Sequence, residues 1–179
     1  VHTHDDLGVA AANSVAGVDG GADSVDATVG GIGERVGNAP MEEVAVLLRQ
    51  RGDTAELKTG ALVPACRRVY DALDVAVPEN KPVLGERAYR HESGMHTAAM
   101  LRDPATYEPF DPADYGGRRE LLFGEGTGRG AARALLDEAG VEVTDDAVAA
   151  ALDAIADAAA GKGDPLTREE AVSVVSSVE

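Results

Sequence analysis

Lysine is nearly missing from this 179-residue chain: Lys58, Lys81 and Lys162 are all there is, and with arginine they make 16 basic residues against 32 acidic ones. The formal charge of -16 argues against a nucleic-acid partner, because phosphate binding needs a surplus of cations. There is a single cysteine, Cys66, so no internal disulfide can form. Its setting, Val63-Pro64-Ala65-Cys66-Arg67-Arg68, offers no neighbouring histidine and reads as a buried helical thiol, not a nucleophile. No apolar run is long enough to span a membrane and nothing has the pattern of a signal peptide, so the chain reads as cytoplasmic. An acidic, alanine-rich, lysine-poor surface is what a salt-rich cytosol favours, since dissolved ions screen its self-repulsion, and the chain reads as halophilic.

What is present starts with a pair of imidazoles. In His2-Thr3-His4, residues two apart on an extended strand point the same way, so both rings can reach one divalent cation. Two protein ligands are too few for a stable site, and the third has to come from elsewhere, with Asn38, Glu34 and Asp6 as candidates. The chain opens on Val1 with nothing in front of this strand, which reads as the back end of a longer protein.

The first fifty residues repeat a strand-helix pattern twice, the signature of an α/β architecture with parallel strands. Strands are expected at Val1 to His4 and Ser24 to Val29, and helices at Leu7 to Val18 and Ala39 to Gln50, with Pro40 in the first turn. A further helix is expected over Gly60 to Leu73. From Gly85 to Gly117 the pattern turns irregular, with Pro104, Pro109 and Pro112 among turn-forming residues, as in a functional lid. The apolar run Leu121-Leu122-Phe123 follows, then helices over Arg129 to Ala139, Asp145 to Ala160 and Thr167 to Ser176, the last opened by a Thr167/Glu170 capping box. A linker is expected at Gly161 to Pro165. At 179 residues the chain is too short for a complete eight-fold barrel, which takes about 250.

Two more segments carry chemistry. Gly31-Ile32-Gly33-Glu34-Arg35-Val36-Gly37-Asn38 lacks the glycine spacing of a dinucleotide loop. Its glycines instead let the chain turn so that Asn38 or Glu34 faces the same mouth as the histidines. His91-Glu92-Ser93-Gly94-Met95-His96, followed by Tyr107-Glu108-Pro109-Phe110-Asp111-Pro112, puts an imidazole and a phenol on one segment, the equipment of general acid-base catalysis. By residue chemistry alone a capped helix with two exposed histidines is the competing reading. Gly124 to Gly130, just before a helix, is either an anion site at the helix start or a flexible entry to it.

Taken in order, these segments resemble the family of 2-isopropylmalate, homocitrate and citramalate synthases, acyl-CoA condensing enzymes, over residues 1 to about 135. The resemblance implies an α/β fold: residues 1-55 as the last two βα units of a TIM-type barrel, 56-118 as a helical linker and active-site lid, and 119-179 as a small helical subdomain. It implies His2 and His4 as metal ligands on the seventh strand, Asn38 as a further ligand after the eighth, and His96 with Tyr107 as the catalytic acid-base pair. It also implies a divalent metal (zinc, manganese or magnesium), acetyl-CoA as co-substrate, a 2-oxo acid as acceptor, and either a homodimer or association with an amino-terminal barrel half. The family's first strand, with its Arg-Asp pair, is not in this sequence. Where relatives often carry Lys-His-Ser-Gly-Arg, this chain has Glu125-Gly126-Thr127-Gly128-Arg129. The expectation is an acetyl-transferring fragment of the 2-isopropylmalate type, inactive without the missing strands. Two rivals are a non-catalytic module that binds a barrel-bearing partner and a metal hydrolase built on His2 and His4.

Overall fold

A computed structural model describes residues 1–53, 57–92 and 94–178. The expected boundary at residues 55 and 56 lies outside the described residues, as does Ser93. The chain divides into two compact units, Val1–Ala88 with Pro112–Arg118, and Tyr89–Asp111 with Arg119–Glu179. Among the described residues the fold is mixed α/β, with seven α-helices and one three-stranded sheet. None of these helices is long and apolar enough to cross a membrane.

In the first unit the two expected strands are extended segments joined by single bridges. His2 pairs with Asp26 in parallel, His4 with Asn38 antiparallel, and Thr28 with Pro40 in parallel. The reason is a change of partner. Asp26 donates its N–H to Val1, whereas Thr28, two residues on, donates to Ala39, so neither pairing continues far enough to make a ladder.

Helix α1 covers Ala10–Asp19 and starts three residues later than the apolar pattern predicts. Gly8 sits at φ +70, and the Asp5 carboxylate accepts the Ala10 N–H at 2.8 Å, so residues 5 to 9 are spent on the turn that starts the helix. Helix α2, Met41–Gln50, has Pro40 as its N-cap and Glu42 and Glu43 in its first turn, where the helix dipole favours negative charge. Ala10, Ala39 and Val44 form the core between α1 and α2. Helix α3, Leu62–Ala72, buries Leu62, Val63, Cys66 and Tyr70. Burial pushes the Cys66 thiol up to about 11, so it stays protonated near neutrality, as an inert helical thiol does.

The second unit is built on strands β1 (Arg90–His91), β2 (Glu120–Phe123) and β3 (Leu166–Thr167), in that spatial order. β1 runs parallel to β2 with His91 opposite Leu121, and β2 antiparallel to β3 with Phe123 opposite Leu166. Helix α4 is Gly94–Arg102, α5 Arg129–Ala139, α6 Asp145–Lys162 and α7 Arg168–Val175. Phe123, Leu135, Leu136, Val148, Ile155 and Val175 are fully buried together as its core. Each such side chain contributes about 1.5–3 kcal/mol by leaving water.

Local chemistry explains the helix ends. The Thr144 hydroxyl accepts the Ala147 N–H, Gly140 closes α5 in the left-handed conformation, and Thr167 and Glu170 form the expected capping box. The expected linker at Gly161 starts late: α6 runs through Gly161 to Lys162 and stops at Gly163, whose φ of +76 is a left-handed cap.

Candidate functional site

The opening segment places its two imidazoles side by side. His2 Nε2 lies 3.4 Å from His4 Nε2, the ring centroids are 5.0 Å apart, and the planes meet edge to face at 76°. Thr3, between them, turns the other way. Its hydroxyl bonds the Ala10 carbonyl at 3.1 Å and the buried Ser14 hydroxyl at 2.9 Å, pinning the segment to α1 and holding the alternation that aims both rings to one side. Asp26, opposite His2, sets its exposed carboxylate 3.5 Å from His2 Nδ1, on the other side of the ring from the Nε2 that faces His4.

Asn38 faces His4 directly across their antiparallel bridge, and residues so paired have Cβ atoms about 5 Å apart on one face. Its Oδ1 is buried without a hydrogen-bond partner among the described residues, and so is His4 Nδ1. The glycines before it are there for space. A methyl group on Gly33 would sit 2.5 Å from Asn38 Nδ2, and one on Gly37, at φ +87, would collide with the Gly31 carbonyl at 1.9 Å. That carbonyl also accepts the Asn38 N–H at 2.9 Å.

Of the other candidate ligands, Asp6 is committed to Arg35, whose Nη2 donates to both carboxylate oxygens at 2.9 Å. Among the described residues no three His, Cys, Asp or Glu side chains gather to hold a metal. The available donor set is two imidazoles and one buried amide oxygen that lacks any other partner, and it fits a divalent cation, since buried acceptors are otherwise hydrogen-bonded.

The second cluster lies in the other unit. The His96 and Tyr107 rings are 4.2 Å apart between centroids and tilted by 41°, with Tyr107 partly exposed. His96 rides in the first turn of α4, and that turn has a backbone seat. A Cβ on Gly94 would meet Gly126 O and Gly128 N at 2.4 Å each. The close approach of the two backbones is thus a requirement on Gly94, since a Cβ on Gly126 or Gly128 would meet only ordinary contacts at 3.9 and 3.5 Å, and Thr127, accepting the Gly124 N–H at 2.9 Å, fixes the loop's shape. His91 is not the exposed histidine of the simpler reading: its side chain is 14% exposed and its Nε2 lies 3.2 Å from Glu108 Oε1.

Sequence reasoning missed Thr3, Asp26, Glu42, Glu108 and Arg119. Glu42 is fully buried in α2, with one oxygen accepting the Gly30 N–H at 2.9 Å and the other 3.7 Å from Lys81 Nζ. Only Thr3 had a local signal, the same alternation that singled out its neighbours. The rest acquire their roles from residues eight or more positions away.

Residues 1–69 match the family profile described as HMGL-like, and residues 83–163 the one described as homocitrate synthase post-HMGL domain-like. The chain is 48% identical over 149 residues to homocitrate synthase AksA of Methanopyrus kandleri, an alignment covering 83% of this chain and 38% of that protein. It is 39% identical over 176 residues to homocitrate synthase 1 of a Nostoc species, covering 98% of this chain and 47% of the relative. A 2-isopropylmalate synthase of Methylobacterium nodulans is 43% identical over 151 residues, covering 82% of the chain and 29% of the relative. The chain therefore spans less than half the length of these relatives. Two profiles in sequence and relatives of three related activities agree with the motifs around the two clusters: the chain belongs to the family of homocitrate, 2-isopropylmalate and citramalate synthases.

Proposed function

We propose that this chain is part of a cytoplasmic acyl-CoA condensing enzyme of the 2-isopropylmalate synthase type, which joins the acetyl group of acetyl-CoA to a 2-oxo acid in amino-acid biosynthesis. The observation that carries the reading is the 3.4 Å approach of His2 and His4 beside the unpartnered Asn38 amide oxygen, in a chain of this family. His2, His4 and Asn38 would hold a zinc, manganese or magnesium ion on the last two βα units of a barrel. A cation bound there supplies a Lewis acid for a carbonyl oxygen.

The chain's own acid-base equipment is the His96-Tyr107 pair. One partner takes a proton from the acetyl methyl group, and that carbon forms the new bond to the carbonyl carbon of the 2-oxo acid. The carbonyl oxygen becomes a hydroxyl by gaining a proton, and water then cleaves the thioester to release free CoA. An imidazole and a phenol whose ring centroids lie 4.2 Å apart are the groups that general acid-base catalysis uses. The reading includes that residues beyond these 179 contribute to turnover and that the lid-borne pair acts in a homodimer.

Calorimetric titration with manganese or zinc is the direct test. One ion per chain is expected, with affinity falling at least about tenfold in His4→Ala and in Asn38→Ala. Release of free CoA from acetyl-CoA, across a panel of 2-oxo acids, is expected only when the chain is combined with the remaining barrel of a relative, and is expected to be lost in His96→Ala. Wild-type metal affinity in both ligand variants, or CoA release untouched by His96→Ala, would overturn the assignment.

A further inference from the structure

The Glu108 carboxylate is nearly enclosed, its side chain only 7% exposed, and a buried carboxylate is costly unless its oxygens are matched. Both are. Oε1 faces His91 Nε2 at 3.2 Å, and Oε2 accepts from Arg119 Nε at 2.8 Å and Nη2 at 2.5 Å. Arg119 extends the cluster to Asp111, 3.5 Å away, and its hydrogen bond to Glu108 raises its already high pKa, so it remains a cation. These groups come from three places: His91 from β1, Arg119 from the residue before β2, and Glu108 from the irregular segment between them.

The placement of Glu108 gives the cluster its meaning. It directly follows Tyr107, and the N–H groups of both residues donate to the Pro104 carbonyl, at 3.2 and 3.1 Å. The His91–Glu108 contact joins residues 17 apart and closes a loop that contains both His96 and Tyr107. At one end of that loop α4 carries His96, and at the other the fixed carboxylate sets the backbone from which the phenol projects. A loop tied at both ends loses most of the conformations in which the two rings stand apart.

We propose that His91, Glu108 and Arg119 are positioning residues, an ionic staple that holds the Tyr107 ring against the His96 ring. Its catalytic consequence rests on the acid-base reading above, whereas the staple itself does not. Arg119 ties the carboxylate to the sheet, and His91 ties it to the strand from which α4 departs. Removing any one of these three contacts therefore changes the ring contact before it changes the core, most of which lies on α5, α6 and α7.

The test is solution NMR of the full 179-residue chain. The His96 ring protons are displaced by the Tyr107 ring current, and Tyr107→Leu calibrates that displacement. In Glu108→Gln and in Arg119→Gln the His96 signals are expected to move at least halfway to the Tyr107→Leu position, while amide signals of α5, α6 and α7 stay in place. His91→Gln, whose amide can still donate to Glu108, is expected to stay near wild type, and His91→Leu to shift like Glu108→Gln. Should Glu108→Gln lose the signals of the helical core, the His91 pair decides by the same criterion.

His96 signals fixed at their wild-type position in Arg119→Gln and His91→Leu would overturn the staple. If they move as expected while His96→Ala leaves CoA release unchanged in the combined enzyme, the staple stands and the acid-base reading falls.

Discussion

Glu42 shows how much a single enclosed carboxylate can bias the molecule. Burial is the main influence on it and raises its pKa above the ordinary carboxyl value of 4.5, against the opposing pull of the Gly30 N–H and of Lys81. The folded chain thus holds the Glu42 proton to higher pH than the unfolded chain does. Stability from this group is complete below 4.5 and is lost as pH rises through the folded value. Glu42→Gln, which can still accept from Gly30, is expected to lose less unfolding free energy than wild type between about pH 4.5 and 7, as read by urea titration at each pH. Parallel curves for the two proteins would contradict it. Nothing local in Glu42-Glu43 announces this: both look like ordinary first-turn acids, and only the fold decides that one is sealed behind Gly30 and Lys81. His2 and His4 were legible for the opposite reason, because a period of two fixes their common direction from three residues alone.

Among the elements, those whose ends are set by neighbouring residues were readable. The bounds of α5 match the sequence pattern at both ends, and α7 begins where the Thr167/Glu170 pair says it should. Thr167→Ala removes the cap, and the expected loss is about 1 kcal/mol of stability in the helical unit, measured by urea unfolding followed by far-ultraviolet dichroism. An unchanged midpoint would mean that α7 is held by its Ala171 and Val175 contacts alone. The start of α1 was misjudged because the apolar Leu7 and Val9 fit the helical period. Leu7 is 87% exposed, and the carboxylate of Asp5 defines a later beginning. The two opening strands shrank to bridges for a reason no single segment contains: residues 26 and 28 answer to different partners.

For the molecule as a whole, the surplus of acid is the dominant long-range force. At about 0.1 M salt, charges interact over some 10 Å, and a formal charge of -16 on a small body repels itself. The local ion pairs, such as Arg168 with Glu138 and Lys162 with Glu170, lie at the surface and offset little of that repulsion. The melting temperature is expected to climb by several degrees between about 0.1 and 1 M potassium chloride, read by calorimetry; a flat or falling profile would show that self-repulsion is not what limits stability.

The mixed α/β class and the family were both within reach of the sequence, because short motifs in a fixed order survive without any knowledge of contacts. The division into units was less accessible, since the chain leaves the first unit at residue 89, re-enters it for residues 112 to 118, and departs again.

With no gap for even a methyl group where Gly94 meets Gly126 and Gly128, the imidazole at position 96 has no private hinge. It cannot swing like a door on its own pin. Its backbone is expected to travel with the masonry behind it, so any opening of this arm is expected to have the slow cadence of a whole body breathing, microseconds or longer, and not the nanosecond flicker of a loose loop tip.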